Sequence, residues 1–145
     1  MVREARREDL GSLLALYLHL HETALPEEDG KLREVWEQIL ADGNHHVIVA
    51  EEEGEIRSSC VCVVVPNLTR GGRPYALVEN VVTHRDHRRR GLASACLAYA
   101  RAAAVEQNCY KIMLLTGAKE LGTLDFYRRA GYNSADKTAF IQWLK

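Results

Sequence analysis

The chain has 145 residues, of which 47% are hydrophobic and 27% are charged, and its formal net charge is −1. These values predict one globular domain over residues 1–145, with enough apolar side chains for a core. The near-zero net charge excludes a general electrostatic attraction to nucleic acid or to an anionic membrane. No apolar stretch is long enough to span a bilayer, and the first residues lack a signal-peptide core, so we expect a cytoplasmic protein.

The first third of the chain predicts one short strand and two helices. Residues 2–6 read as the strand, and Asp9 is a candidate N-cap. Apolar residues then recur at helical spacing, at Leu10, Leu13, Leu14, Tyr17 and Leu18. Residues 26–30 break this helix. A second helix follows and is expected to end near residues 42–44.

A run of strands comes next. Residues 47–51 and 56–65 predict a β-hairpin, because an alternating apolar pattern flanks the turn at Glu53 and Gly54. Residues 69–74 read as a loop, and residues 75–83 read as the following strand. Cys60 and Cys62 are two positions apart in this pattern, so they should share a sheet face as small core residues. The four cysteines contain no Cys-x-x-Cys pair, and we predict neither a disulfide framework nor a cysteine metal site.

The last part of the chain alternates helices and strands. It predicts a long helix at residues 91–107, a strand at 111–115, a short helix at 123–130 that Gly131 ends, and a final strand at 138–144. A meander that feeds a strand–helix–strand crossover implies an α/β fold with a mixed sheet and helices on both faces. The terminal strand offers an edge at which a homodimer could form.

The long helix opens on the segment Arg88-Arg89-Arg90-Gly91-Leu92-Ala93-Ser94. Cations at a helix N-terminus are locally unfavourable, because its unpaired N–H groups already carry partial positive charge. The arrangement is consistent with a bound polyanion held by backbone amides, with Gly91 and Ala93 allowing close approach and the arginines as outer guards. The alternatives are a solvated charge cluster and a nucleic-acid-binding patch. Three arginines in a chain of near-zero net charge would bind nucleic acid only weakly.

Two segments together resemble the GNAT superfamily of N-acetyltransferases, which transfer an acetyl group from acetyl-CoA to an amine. One is Arg-x-x-Gly-x-Ala, from Arg88 to Ala93, placed between a strand and a helix. The other is Phe-Tyr-x-x-x-Gly-Tyr, from Phe126 to Tyr132. Locally, residues 79–82 and 108–112 are similar to the glucosamine-6-phosphate N-acetyltransferases, which usually carry Glu-Asp where this chain has Glu79 and Asn80.

The resemblance implies a GNAT-type mixed, mostly antiparallel sheet flanked by helices, with acetyl-CoA as co-substrate and no metal. It implies that backbone groups of one strand end pair with the pantetheine arm, as an added strand would, and that amides of the turn hold the pyrophosphate. The cofactor-binding residues are then Val81, Val82, Thr83, Arg88, Arg89, Arg90, Gly91, Leu92, Ala93 and Ser94. The side chains of Val81 and Val82 are expected to pack in the core in either case.

Tyr127 is the candidate general acid. A departing thiol has a pKa of about 8.5 and a phenol of about 10, so a tyrosine can supply a proton to the sulfur near neutral pH. The alternative is that Tyr127 is only a core aromatic of a short amphipathic helix. Trp36 and Trp143 are interpreted as core or interface aromatics.

Glu79 is the charged residue of an otherwise apolar strand and is the candidate base that deprotonates the amine, directly or through water. A partner for a substrate ammonium and a structural ion pair are equally open roles. Asn80 could orient the substrate. His84 and His87 flank the turn, but no third metal ligand is evident, so they read as loop histidines.

We therefore predict an acetyl-CoA-dependent N-acetyltransferase that acts by direct attack of a small-molecule or peptide amine, with no nucleic-acid or membrane partner. The alternatives are a non-catalytic acyl-CoA sensor on the same fold and a nucleotide-binding regulatory protein that uses the turn for another diphosphate. The acceptor pocket would come from the first two helices and the loop at 69–74. The acidic residues Glu27, Glu28 and Asp29 hint at a cationic acceptor, although a solvated acidic loop explains them as well.

Overall fold

Alternating apolar strands build one central sheet. In a computed structural model, which describes residues 1–20, 24 and 30–145, the sheet has five strands in the order β1-β2-β3-β4-β5. Their bounds are β1 Val2–Glu4, β2 His45–Glu52, β3 Glu55–Val65, β4 Tyr75–Thr83 and β5 Ile112–Leu114. The pairings from β1 to β4 are antiparallel and β4 pairs with β5 in parallel, so the mixed, mostly antiparallel sheet is confirmed.

Helices connect and cover the strands. The described residues form α1 Leu10–Leu16, α2 Gly30–Ala41, α3 Thr69–Gly72, α4 Leu92–Glu106 and α5 Leu121–Arg129. Only α3 was not predicted, and it is a four-residue turn in the loop between β3 and β4, with Arg70 and Gly71 outside helical backbone angles. A 3-10 turn, Arg85–His87, links β4 to the segment that opens α4.

The sheet buries one set of side chains on each face, because successive residues of a strand point to opposite sides. Residues Ile48 and Cys60 belong to the core under α4 and α5, whereas Val47 and Val61 belong to the core under α1 and α2. Trp36 completes the second core and donates from Nε1 to the Arg7 carbonyl at 3.0 Å. The prediction of helices on both faces is thus confirmed, as is the core position of Cys60 and Cys62, which are both fully buried.

Most predicted elements are present with small shifts in their bounds. The hairpin of β2 and β3 turns at Glu53 and Gly54, both at positive φ, and β4 has the predicted bounds. The predicted break at residues 26–30 and the acidic residues at 27–29 lie outside the described residues, except for Gly30, which begins α2.

The predicted strand at residues 138–144 is wrong for the isolated chain. Residues 133–145 have no regular secondary structure, and every one of them is exposed. Trp143, predicted to be a core or interface aromatic, has 85% of its surface exposed. The local pattern indicates strand propensity, but a strand also needs a neighbouring strand to pair with. This segment has no such neighbour within the described part of the chain.

A charged cluster ties the N-terminal strand to the first helix. The Arg3 guanidinium donates to the Asp9 carboxylate at 2.7 and 3.2 Å and to Glu51 at 2.8 Å. Asp9 stands at the N-cap of α1 as predicted, but its carboxylate accepts from the Arg6 amide at 2.6 Å rather than from a helix amide. Burial opposes ionisation of Asp9, yet these donors outweigh it and the pKa of its carboxyl is lowered.

We expect Arg3→Ala to lower the free energy of unfolding by about 3 kcal/mol, because it strands the buried Asp9 carboxylate without its partner. Arg7→Ala is the matched control: the Arg7–Glu37 pair is 72% and 50% exposed at its two side chains, so its loss should cost about 0–1 kcal/mol. Urea denaturation at pH 7 measures both variants.

The loss in Arg3→Ala should shrink as the pH falls below about 4, the ordinary pKa of an unfolded Asp. A carboxyl whose pKa is lowered by folding stabilises the protein above the unfolded value and loses that contribution as it becomes protonated. An effect of Arg3→Ala that equals that of Arg7→Ala at pH 7 would show that the cluster is not a buried ion pair.

Candidate functional site

Strands β4 and β5, the last two strands of the sheet, separate partway along β4. Their parallel pairing runs from Ala76 with Ile112 to Val78 with Leu114 and stops there. Immediately beyond, Asn80 has φ 52°, and the β3–β4 register shifts between Ser59 and Val61. A positive φ at a non-glycine residue is uncommon, and here it marks a bulge that turns β4 away from β5.

The separation leaves one edge of β4 without a strand. Val82 and Thr83 still pair with Ser59 and Ser58 of β3, but no described strand pairs with the β5 side of residues 79–83. The side chain of Val82 is buried and those of Val81 and Thr83 are half-buried. Backbone N–H and C=O groups need partners, so this edge is able to accept an extended ligand arm as an added strand would.

The edge leads to the N-terminus of α4. Gly91 is its N-cap in a left-handed conformation, φ 77°, without a side-chain cap. The Ala95 amide donates to the Gly91 carbonyl at 3.0 Å. The amides of the first turn, through Ser94, therefore precede the first bond within the helix. A Cβ built on Gly91 meets no atom within 4 Å. Free amides beside open space suit a phosphate group.

The three arginines before Gly91 have different environments. The Arg90 guanidinium is bonded to the Glu52 carboxylate, and Arg88 donates from Nε to the Thr83 carbonyl at 3.4 Å. Arg89 has φ 64°, and its guanidinium has no partner among the described residues. All three are predicted as outer guards of a bound anion. Arg88 and Arg90 are engaged with the protein itself, and among the described residues Arg89 is the one of the three without such a contact.

Glu52 anchors this turn and was not predicted from sequence. It ends β2 and accepts from His87 Nδ1 at 3.1 Å as well as from Arg90. The hydrogen bond from His87, followed by the one from Arg90, lowers the pKa of the Glu52 carboxyl, so it is ionised at neutral pH. His87, predicted as a solvated loop histidine, is thus part of the clamp that holds the turn against the sheet.

His84, at the other end of the 3-10 turn, lies among basic side chains. Its ring centroid is 4.2 Å from that of His19 and 5.2 Å from that of His87, and its Nδ1 accepts from the Asp86 amide at 3.2 Å. Burial lowers its pKa, as do His19, Arg57 and His87, while Asp86 opposes them. The neutral ring is therefore favoured. Within the described ranges, no group of three His, Cys, Asp or Glu side chains is arranged to hold a metal ion.

Tyr127 lies on α5 and packs against the core beneath α4. Its ring makes edge contacts with Phe126 and Tyr132, at centroid distances of 5.1 and 6.5 Å. Burial raises the pKa of Tyr127 and raises that of Tyr132 to about 12, so both phenols are protonated at neutral pH. The hydroxyl of Tyr132 is buried without a partner in the described part of the chain. The position of Tyr127 is compatible with both interpretations from the sequence, core packing and proton donation.

Glu79 and Asn80 are both exposed and adjoin the point where β4 leaves β5. Glu79 therefore faces solvent at the opening rather than the core. The loop at 69–74, predicted to line the acceptor pocket, precedes β4 and so lies at the opposite end of that strand from the arginine turn. There Arg73 donates to the carbonyls of Asn108 and Cys109, both at 3.2 Å.

Comparison with known proteins identifies the class. Residues 10–132 match the model of the acetyltransferase (GNAT) family, and the chain belongs to that family. A glucosamine 6-phosphate N-acetyltransferase of Trypanosoma brucei brucei is 28% identical over 137 residues, which are 94% of this chain and 90% of the relative. The resemblance predicted from the segments at Arg88 and Phe126 is confirmed.

Solved structures of other proteins are similar to this chain over almost its whole length. One from Agrobacterium tumefaciens str. C58 is 34% identical with a TM-score of 0.90, and 99% of each chain is covered. A transcriptional regulator from Bacillus halodurans C-125 is 26% identical with a TM-score of 0.83, again with 99% of each chain covered. None of the helices in the described part of the chain is long and apolar enough to cross a membrane.

The environment of His84 predicts a loss of stability in mild acid. A histidine whose pKa is lowered by folding binds fewer protons than in the unfolded chain, so stability falls as the pH drops from the unfolded value of about 6.5 through the folded one. His84→Asn keeps an acceptor for the Asp86 amide and removes the titration. The melting temperature of the wild type should fall more than that of His84→Asn between about pH 7.5 and pH 5.5. Equal falls would mean that His84 does not titrate in this way.

Proposed function

We propose that the protein is an acetyl-CoA-dependent N-acetyltransferase that acetylates a primary amine by direct attack, without an acyl-enzyme. The observation that carries the proposal is the continuous line formed by the free edge of β4 and the uncapped start of α4. An extended arm with a diphosphate at one end fits that line, because strand-edge groups suit the arm and helix amides suit the diphosphate. The family to which the chain belongs supports acetyl transfer.

In this proposal the backbone of Val81, Val82 and Thr83 aligns the arm by strand-like hydrogen bonds. The amides from Gly91 to Ser94 hold the diphosphate, and the open space at Gly91 admits it. Bound acetyl-CoA supplies the acetyl group as a thioester, with a thiolate as the leaving group. Arg88 and Arg89 add positive charge around the diphosphate, whereas Arg90 acts through its bond to Glu52 by fixing the turn.

Tyr127 is proposed to donate the proton that the departing sulfur takes up. Burial keeps its hydroxyl protonated at neutral pH, which is the state a general acid requires. Glu79 is proposed to accept the proton of the attacking amine, directly or through water, since it is exposed beside the opening between β4 and β5. Asn80, on the adjacent bulge, is proposed to orient the acceptor.

The name of one relative suggests which acceptor to test first. The trypanosomal relative acts, by its name, on glucosamine 6-phosphate, and a phosphorylated amino sugar is accordingly the first acceptor to test. A panel of sugar, polyamine, aminoglycoside, amino-acid and peptide amines, with detection of released thiol, tests the activity. The Bacillus relative is named a transcriptional regulator; acetyl-CoA binding without turnover on any amine would favour the alternative, a non-catalytic acyl-CoA sensor.

Replacement of Gly91 tests the diphosphate site. Gly91→Ala should weaken acetyl-CoA binding by about tenfold or more, or about 1.4 kcal/mol, because the new Cβ enters the space that the ligand needs. Gly54→Ala is the matched control: Gly54 has φ 78°, close to the 77° of Gly91, and its Cβ also meets nothing within 4 Å. Both variants should lose about 1–2 kcal/mol of stability from the left-handed backbone, but only Gly91→Ala should lose affinity by calorimetry. Unchanged affinity in folded Gly91→Ala would remove the turn from the site.

Replacement of Tyr127 tests the general acid. Tyr127→Phe keeps the ring and its packing, and it should lower the single-turnover rate by about 10²–10⁴-fold while leaving acetyl-CoA affinity nearly unchanged. Tyr132→Phe is the control on the neighbouring ring. It removes a buried hydroxyl that has no partner in the described chain, so it should leave the rate unchanged and not reduce stability. A wild-type single-turnover rate in Tyr127→Phe would leave Tyr127 as a core aromatic only.

A further inference from the structure

Arg57, near the start of β3, is a cation without a counterion in the described part of the chain. Its side chain is half-buried, and its Nε is buried without a hydrogen-bond partner there. A buried donor without an acceptor destabilises a folded protein, and the cost is larger when the group is charged. Such a group in a native structure needs an explanation, and contact with a bound ligand is one.

Two histidines lie beside Arg57. The His84 amide donates to the Arg57 carbonyl at 2.8 Å, one position beyond the last paired residues of β3 and β4. Residues that face each other in an antiparallel pair project their side chains from the same face, so those of Arg57 and His84 are neighbours. His19, in the 3-10 turn Tyr17–His19, stacks on His84 at a ring-centroid distance of 4.2 Å. Arg57, His19 and His84 thus form a basic cluster at the end of β4.

Little of the charge of the basic cluster is neutralised by the protein. Within the described chain, the carboxylate beside His84 is that of Asp86, whose Oδ2 is 4.0 Å from His84 Nδ1 and whose side chain is 74% exposed. An exposed carboxylate is screened by solvent and contributes little. Burial lowers the pKa of His84, and His19 and Arg57 lower it further, as expected among basic groups. A bound anion would supply the missing negative charge.

The basic cluster carries hydrogen-bond donors that suit an anionic group. A guanidinium is planar and matches two oxygens of a phosphate or carboxylate with two of its N–H groups. His84 Nδ1 accepts from the Asp86 amide at 3.2 Å, so the proton of the neutral ring is on Nε2, which is a donor. The ring nitrogens of His19 have no hydrogen-bond partner among the residues that the structure describes.

The position of the basic cluster decides which anionic group can reach it. His84 directly follows Thr83, the end of the strand edge proposed to hold the arm of acetyl-CoA. The His84 ring is 5.2 Å from that of His87, which is bonded to Glu52 beside the proposed diphosphate site. Glu79 is five residues back along β4, or about 16 Å in a strand. An anionic group on a small acceptor whose amine lies at Glu79 does not extend that far.

We propose that Arg57 and His84, together with His19, bind the ribose 3′-phosphate of acetyl-CoA, separately from the amides that hold its diphosphate. This inference rests on the proposed function, because it takes acetyl-CoA as the ligand. Coenzyme A carries its third phosphate on the ribose next to the diphosphate, so a cluster that adjoins the diphosphate site is within its reach. The phosphate supplies the acceptor that Arg57 Nε lacks. The contact makes the protein prefer acetyl-CoA to acetyl donors without this phosphate.

Calorimetry with acetyl-CoA and with 3′-dephospho-acetyl-CoA tests the contact and needs no acceptor. The wild type should bind acetyl-CoA more tightly by about tenfold or more, the effect of one hydrogen bond to a charged group. Arg57→Met keeps an unbranched side chain and removes the guanidinium. It should weaken acetyl-CoA binding by that factor and leave binding of the dephospho analogue unchanged. His84→Asn, which lacks the Nε2 donor, should reduce the preference as well.

Arg85→Met is the matched control for the loss of one positive charge. Arg85 is an exposed arginine of the adjacent 3-10 turn, and its side chain has no hydrogen bond or ion pair among the described residues. Its replacement should weaken both ligands by a similar small factor that disappears at high salt, and the preference should remain. An equal loss of preference in Arg85→Met and Arg57→Met would indicate a diffuse field rather than a contact, and the proposal would be wrong.

The melting temperature of the ligand-free protein tests whether Arg57 has a partner within its own chain. Arg57→Met should not lower this temperature, because it removes a buried donor that has no acceptor in the described chain. A fall much larger than that of Arg85→Met would show that the guanidinium holds the fold together, and it would contradict the proposal.

The binding results also separate this inference from the proposed function. A wild type that binds both ligands equally overturns the inference alone, whereas a wild type that binds neither overturns the proposed function as well. Kinetics with acceptors of different charge identify the other source of an anion. If Arg57→Met keeps the preference for acetyl-CoA and raises KM only for acceptors with a phosphate or carboxylate, the basic cluster serves the acceptor and the proposal is wrong.

Discussion

The separation of β4 from β5 is the constraint on which the rest of the site depends. A backbone that has left one neighbour must satisfy its polar groups elsewhere, and beyond the bulge at Asn80 residues 81–83 have a free edge on the side of β5, the last strand of the sheet. Packing against the core under α4 and α5 stabilises β4 although its edge at residues 81–83 has no neighbouring strand. Val82 remains buried and still pairs with β3, so the sheet is held on one side while the other side stays open.

Groups that are distant in the chain lie on elements that share one core. β4 carries Glu79 and Asn80 at the mouth of the opening and ends beside the turn that begins α4. Helix α5 adds Tyr127 by packing on the same core as α4. Rigid elements thus support most of the groups in the proposed reaction, and the irregular backbone lies in the turn before the helix, where Arg89 and Gly91 both have positive φ.

Much of the fold could be read from local pattern, and the exceptions have a common cause. The hairpin of β2 and β3, the bounds of β4 and the position of α4 follow from periodicity and turn residues, which act over a few positions. The Glu52–Arg90 bond joins residues 38 apart and the Arg3–Glu51 bond joins residues 48 apart, and no local pattern specifies such pairs. Residues 138–144 carry a strand pattern without a strand, because pairing is a property of two segments. For the site, the motifs at Arg88 and Phe126 predicted the family, whereas the different environments of the three arginines needed the structure.

Glu52 also determines how dissolved salt acts on the arginine turn. Like charges on three adjacent arginines repel one another, and the Glu52 carboxylate bonded to Arg90 serves as a counterion that the protein itself supplies. Part of the positive charge is therefore already neutralised within the turn, and less of it extends outward as a long-range field. Attraction of an anion then depends more on the short-range dipoles of the helix amides than the number of arginines suggests. Ionic strength should accordingly affect this turn less than it affects an uncompensated basic patch of the same size.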